Sequence, residues 1–174
     1  MDEKLRRDPQ DKSTEMCPNE NLVECVYVAN SGDNTVSMFT LDGATGLLTA
    51  GTSLDLSATA LFVSNLIVDP TSKYLYVLDS GDPFADPVVN GAVHAYNIGS
   101  NGAIGTAIGT AVPTETNPFG IAIDPTGTLL ATDNNESASI SLFTVGTGGA
   151  LTAKTPATVA TGQAPLFVTF YNAP

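Results

Sequence analysis

The residues with the chemistry to hold a ligand are few, and three sit close together. Asp79, Asp82 and Asp86 lie in the stretch DSGDPFADPVVN, residues 79–90. Three carboxylates at that spacing offer oxygen ligands to a hard cation such as calcium. The spacing does not match an EF-hand loop, and Pro83 and Pro87 interrupt it. A solvated acidic turn is the plainer reading, with a metal site at Asp79, Asp82 and Asp86 as its alternative. His94 is the single histidine. A general base needs a partner carboxylate and a place at a pocket. His94 falls mid-strand, in a slot that Ser37 and Ser141 fill elsewhere, so it reads as a packed structural residue. Asp69 and Asp124 each open an Asp-Pro-Thr sequence. Their recurrence marks a turn in which the carboxylate accepts backbone N–H groups, not a catalytic pair. No serine stands in a nucleophile-elbow pattern. The glycines at 146–149 follow a strand pattern rather than open a helix, so they form a hairpin turn and not a phosphate cradle. Cys25 starts a strand and reads as a buried thiol, with a bridge to Cys17 in an oxidising compartment as the alternative. The residues assign no catalytic set and imply no cofactor.

The elements that must position these residues come from one repeated unit. Residues 65–80, NLIVDPTSKYLYVLDS, read as strand, tight turn, strand, turn. Pro70 presets φ for the corner, and its missing N–H excludes a central strand there. The unit returns at 120–134 as GIAIDPTGTLLATDN, and its second half appears at 25–33 as CVYVANSGD. Labelling strands A to D within each round, the first round holds B (25–30), C (35–41) and D (47–53). The second holds A (65–68), B (74–78), C (91–98) and D (103–108), and the third A (119–123), B (129–132), C (139–145) and D (151–155). A last A strand is expected at 165–171, with Pro165 placed like Pro118. That makes an all-β chain of twelve strands, with Ile67, Ile121 and Val168 on innermost strands. Four strands per round at a spacing near fifty residues is the period of propeller blades.

Charge narrows the partners. The chain of 174 residues carries 18 acids against six Lys and Arg, a net charge of −12. Beyond the first twenty residues the only bases are Lys73 and Lys154. So acidic a surface repels phosphate backbones and anionic lipid, which argues against nucleic-acid or membrane partners. Residues 1–21 are charged and poor in apolar side chains, and are expected to form a disordered tail ahead of a domain at 22–174. Met1-Asp2-Glu3-Lys4-Leu5-Arg6-Arg7 lacks the apolar core of a signal peptide, which makes the cytoplasm the default location; a truncated gene of secreted origin is the alternative.

Two stretches carry a family resemblance. Val26-Tyr27-Val28-Ala29-Asn30-Ser31-Gly32-Asp33-Asn34-Thr35-Val36-Ser37 resembles the YVTN-type repeat. Gly120-Ile121-Ala122-Ile123-Asp124-Pro125-Thr126-Gly127 is similar to the strand that opens each blade of lactonase-type seven-bladed β-propellers. The resemblance covers residues 23–172 and rests on scaffold motifs. It implies blades of four antiparallel strands, and relatives that include 6-phosphogluconolactonases. The strands here suffice for about three blades.

Two functions follow as expectations. The first is a non-catalytic propeller segment, a structural, interaction or ligand-binding scaffold. The second, implied by the resemblance, is a lactone hydrolase active only within a complete propeller or oligomer. A phosphorylated lactone is anionic and calls for Arg or Lys donors, whereas the repeats hold no arginine, Lys73 falls in an A–B turn, and Lys154 falls on an outer strand. Antiparallel order gathers the B–C loops and D–A crossings on one rim, where function is expected. An arc of three blades leaves apolar faces and strand edges open, so a homo-oligomer that completes a ring is expected. A piece of a longer propeller and a strained three-blade ring are the alternatives.

Overall fold

The computed structural model describes residues 24–171. Among the described residues thirteen strands build three antiparallel sheets. The first blade comprises β1 (Glu24–Asn30), β2 (Thr35–Leu41), β3 (Leu48–Ala50) and β4 (Leu54–Asp55), with β3 and β4 both pairing β2. The second comprises β5 (Val63–Val68), β6 (Tyr74–Asp79), β7 (Ala92–Ile98), β8 (Ile104–Ala107) and β9 (Val112–Pro113). The third comprises β10 (Ile121–Ile123), β11 (Leu129–Asn134), β12 (Ser139–Val145) and β13 (Leu151–Ala160). These are the A-to-D meanders of the repeat.

The strands alternate because both faces of the middle blade are covered. Val93 and Ala95 of β7 pack with Ile121, Leu130 and Phe143 of the third blade. Tyr96, one residue out of phase, packs with Val36, Leu56 and Ala60 of the first. Period-two alternation thus supplies two separate cores from one strand. Each fully buried large side chain there contributes roughly 1.5–3 kcal/mol, and Leu75, Tyr76, Val77 and Leu78 are all completely buried.

Three differences from the expected strands have local causes. The outer strands of blades one and two break in two, around residues 51–53 and 108–111, where no outer neighbour holds the free edge straight. β13 instead runs on to Ala160, past the expected end at 155. Its register shifts between Ser141 and Phe143 of β12, opposite the stretch that contains Pro156. Proline lacks a ladder donor, and an edge-strand irregularity is where it is tolerated. Residues 165–171 form no strand. They pass Gly120, just before β10, and Asn135 Nδ2, just after β11, donates to Pro165 O at 3.0 Å. An inner strand takes its ladder from the B strand after it, and no such strand follows among the described residues. Val168 is therefore not on an inner strand, although Ile67 and Ile121 are. The tail at 1–21 lies outside the described residues.

Candidate functional site

The Asp-Pro-Thr turns show how these sheets use carboxylates. Asp69 Oδ1 accepts from Lys73 N and Tyr74 N, each at 2.7 Å, and Oδ2 accepts from Thr71 N at 2.9 Å. Asp124 Oδ1 accepts from Thr128 N and Leu129 N, each at 2.7 Å, and Oδ2 accepts from Thr126 N and the Thr126 hydroxyl. Burial works to raise both carboxyl groups. The hydrogen bonds, led by those from Thr71 and Thr126, outweigh it and hold both below the usual carboxylate range. These are turn residues on the A–B rim.

On the other rim, two similar carboxylates fasten crossings between blades. Asp79, at the end of β6, accepts from Phe62 N at 2.8 Å and from Gly81 N at 3.0 Å. Both of its oxygens lie 3.2 Å from Leu61 N. Asn34 holds the same crossing from the first blade: its Oδ1 accepts from Val63 N at 3.0 Å and its Nδ2 donates to Leu61 O at 3.2 Å. Asp133, near the end of β11, accepts from Phe119 N at 2.8 Å and Gly120 N at 3.0 Å. Asn65 Nδ2 donates to Phe119 O at 2.8 Å.

Between these two fixed crossings a pocket of about 510 Å³ opens on the rim. Leu61 and Phe62 form one wall, Asn117 and Phe119 the other, and residues 80–84 the floor and lip. Its size and mostly apolar lining are those of a small-molecule site. Phe84 stands 91% exposed at the lip, an unusual place for a phenyl ring unless something covers it. Asp82 is the one charged side chain of the lining. Its Oδ1 accepts from Phe84 N at 2.9 Å, which turns the chain at the lip. The loop is closed behind by paired backbone bonds between Asp82 and Val89 at 2.9 and 3.0 Å. Gly81 begins it at φ 69°, and a Cβ there would come within 2.6 Å of the Asn90 backbone, so only glycine fits.

The three carboxylates proposed for a cation are not gathered. Asp79 is buried and turned to backbone amides, Asp82 lines the pocket, and Asp86 is exposed. Among the described residues no three acidic, histidine or cysteine side chains group as a metal site. Lys73 lies in the turn before β6 and Lys154 on β13, as the repeat implied. Cys25 is half-buried rather than buried, with its sulfur 3.8 Å from Asn101 O. Cys17 lies outside the described residues.

His94 does have a carboxylate neighbour, which the sequence reading missed. In the ladder Asp79 pairs with Ala92 and Val77 with His94, so Asp79 and His94 share one face of the sheet. The clue lay in the repeat. Asn30 and Asn134 occupy the strand-end slot of Asp79, just as Ser37 and Ser141 occupy that of His94. Burial lowers the imidazole's pKa, against an opposing pull from Asp79. The pocket's aromatic walls were harder to foresee, because Leu61, Phe62 and Phe119 sit in crossings outside the strand pattern.

Comparison with known proteins fits this geometry. A 6-phosphogluconolactonase of Pectobacterium carotovorum subsp. carotovorum (strain PC1) is 27% identical over 157 residues, a match covering 87% of this chain and 43% of that protein. Among solved structures, a candidate 6-phosphogluconolactonase of Bacteroides fragilis superposes with a TM-score of 0.70 at 20% identity, covering 82% of this chain and 37% of that one. The periplasmic gluconolactonase of Pseudomonas aeruginosa gives 0.62 at 17% identity, covering 80% and 38%. At those identities the structures speak for the fold alone, and the chain spans less than half the length of each of these relatives. The family profile described as lactonase, 7-bladed beta-propeller matches residues 35–167, most of the chain. The repeated strands, the blade order and that match place this chain in the lactonase family of seven-bladed β-propellers.

Proposed function

We propose that this segment is a ligand-binding part of a lactonase-type propeller, and that its rim pocket takes an uncharged, ring-shaped small molecule. One observation carries the reading: the pocket bounded by Leu61, Phe62, Phe84 and Phe119, with Asp82 its single charged group. Phenyl faces suit the C–H faces of a ring, and Asp82 and Asn117 offer polar partners at its edge. A phosphorylated ligand is disfavoured, because the Asp82 carboxylate repels it and the repeats carry only Lys73 and Lys154, away from this rim.

A second reading follows from the family. Lactone opening needs a base for water and a donor for the oxyanion. Asp82, the carboxylate lining the pocket, would serve as that base, and other blades of a complete ring would supply the remaining groups. The two readings separate experimentally. Glucono-δ-lactone and 6-phosphogluconolactone are offered to the purified chain, and hydrolysis is corrected for spontaneous opening. Saturable binding of the neutral lactone without turnover, weakened at least tenfold by Phe84→Ala, is the expected result. Turnover of the phosphorylated lactone by this chain alone would overturn the binding reading.

A further inference from the structure

Asp79 and His94 stand where the two sister blades carry a neutral pair. In the first blade Asn30 Nδ2 donates to Ser37 Oγ at 2.8 Å and to Thr35 Oγ1 at 3.0 Å. In the third, Asn134 Nδ2 donates to Ser139 Oγ at 2.9 Å and to Ser141 Oγ at 3.0 Å. Each asparagine–serine pair ties strand B to strand C and is itself uncharged, while the neighbouring Thr35 and Ser139 hydroxyls donate onward to Asp33 and Glu115. In the second blade both members are exchanged for titratable groups. The substitution also leaves a polar atom stranded: His94 is 7% exposed, and its Nε2 is sealed from solvent with no hydrogen-bond partner. An unsatisfied buried nitrogen is destabilising, and nothing in blade packing demands it, since serine fills the slot twice.

The exchange connects the strand pair to the pocket. Asp79 is the residue whose carboxylate holds the amides of Leu61, Phe62 and Gly81, and all three residues line the pocket. Diagonal neighbours on one sheet face have backbones roughly 7–8 Å apart, within reach of long side chains. We propose that His94 is a positioning residue for the rim pocket, acting through Asp79, and that protonation of its imidazole releases the wall formed by Leu61 and Phe62.

The physical step is simple. With the imidazole neutral, the Asp79 oxygens are spent on the three backbone amides. A proton taken from solvent makes both ring nitrogens donors, and an imidazolium opposite Asp79 adds the attraction of two full charges, which the backbone N–H donors on that carboxylate do not have. The carboxylate is drawn toward the ring and the amides lose their acceptor. Among the described residues, the nearby titratable groups are engaged elsewhere. Tyr74 and Tyr76 of β6 pack toward the third blade. Tyr27 of β1 donates to Gly102 O at 2.6 Å, and Asp55 of β4 accepts from Ser57 N at 2.8 Å. Tyr96 lies on His94's own strand, and Asp79 is the one charge that acts on the imidazole. Because burial lowers the imidazole's pKa, the ring is neutral at pH 7 and the latch is closed there.

The latch stands or falls separately from the identity of the ligand, although its value to binding rests on the pocket reading. The test needs no ligand. The chain has one histidine, so its Cε1–H proton resonance reports His94 without ambiguity. NMR spectra of the full chain are recorded from about pH 7.5 down to about pH 5. The imidazole is expected to titrate with a midpoint below the ordinary value of about 6.5. The amides of Leu61, Phe62 and Gly81 are expected to shift with that same midpoint. In His94→Ser, and in a double variant that adds Asp79→Asn to restore the sister pair, those amide shifts should be flat over the interval. Wild-type amides that ignore the imidazole, or that move unchanged in His94→Ser, overturn the proposal. Should the variants fail to fold, the match or mismatch of the wild-type midpoints decides the question alone.

Discussion

Single carboxylates in this chain divide by what they accept. Asp69 and Asp124 each close a turn by taking the amides two to five residues ahead. Replacing either by alanine strands two or more amides near the surface, an expected loss of about 1–3 kcal/mol per site, read from urea melts. Their hydrogen bonds also set a pH dependence. Both folded-state pKa values are depressed, so the stability they give is complete above the unfolded value of about 3.9 and is lost as pH falls through the folded one. Asp69→Asn and Asp124→Asn should flatten the fall in melting temperature below about pH 4; an unchanged acid profile would show that other groups govern it. The turn role of these residues was legible in the repeat, because a chemical pair has no reason to recur at equivalent corners. The role of Asp79 was not legible, since its partners Leu61 and Phe62 lie 18 and 17 residues away in a segment without a pattern.

Between elements, the blades are tied by a contact that also repeats. Tyr27 on β1 donates to Gly102 O in the second blade at 2.6 Å, and Tyr76 on β6 donates to Gly149 O in the third at 3.0 Å. Each tyrosine crosses from a B strand to the C–D turn of the next blade. Gly149 meets this contact at φ 80°, and a Cβ there would lie 2.6 Å from the Tyr74 ring, so the turn and its neighbour select glycine together. Burial raises the Tyr27 hydroxyl to about 12, with Cys25 adding to the shift, and raises that of Tyr76 further. Both therefore remain donors at any physiological pH. Tyr76→Phe removes the donor and leaves a buried carbonyl, so a loss of about 1–2 kcal/mol is expected. Tyr27→Phe should cost less, because that residue is only half-buried. Equal losses would show that the ties do not depend on burial. Strand existence was readable from alternation and turn residues, whereas strand continuity in the outer strands was not. Outer strands pack on one side only, and their sequence is not obliged to declare where they break.

The molecule as a whole is an arc with two unlike ends. At one end the inner edge of β1 has no strand beside it among the described residues, and Val26 and Val28 on its outer face are 36% and 41% exposed. At the other, Leu166, Phe167 and Tyr171 are 52%, 89% and 82% exposed along an extended segment that belongs to no sheet. A strand edge at one end and an unpaired extended segment at the other are complementary surfaces. We therefore predict that the purified chain associates, and that light scattering returns a mass above that of one chain. A monodisperse monomer at high concentration would show that the ends satisfy themselves. The sequence by itself determined the blade: hydrophobic alternation, Asp-Pro-Thr corners and glycine turns are local rules, and each acts within about fifteen residues. It also determined the family, through motifs that are those same local rules repeated. Only the tertiary structure decided the site. The pocket is walled by two crossings and one loop that stacking brings together from residues 61 to 119. The Asp79–His94 face likewise depends on the register of two strands joined by a long loop. A contact across blades leaves no period in the chain, because the residues that make it answer to their neighbours in space.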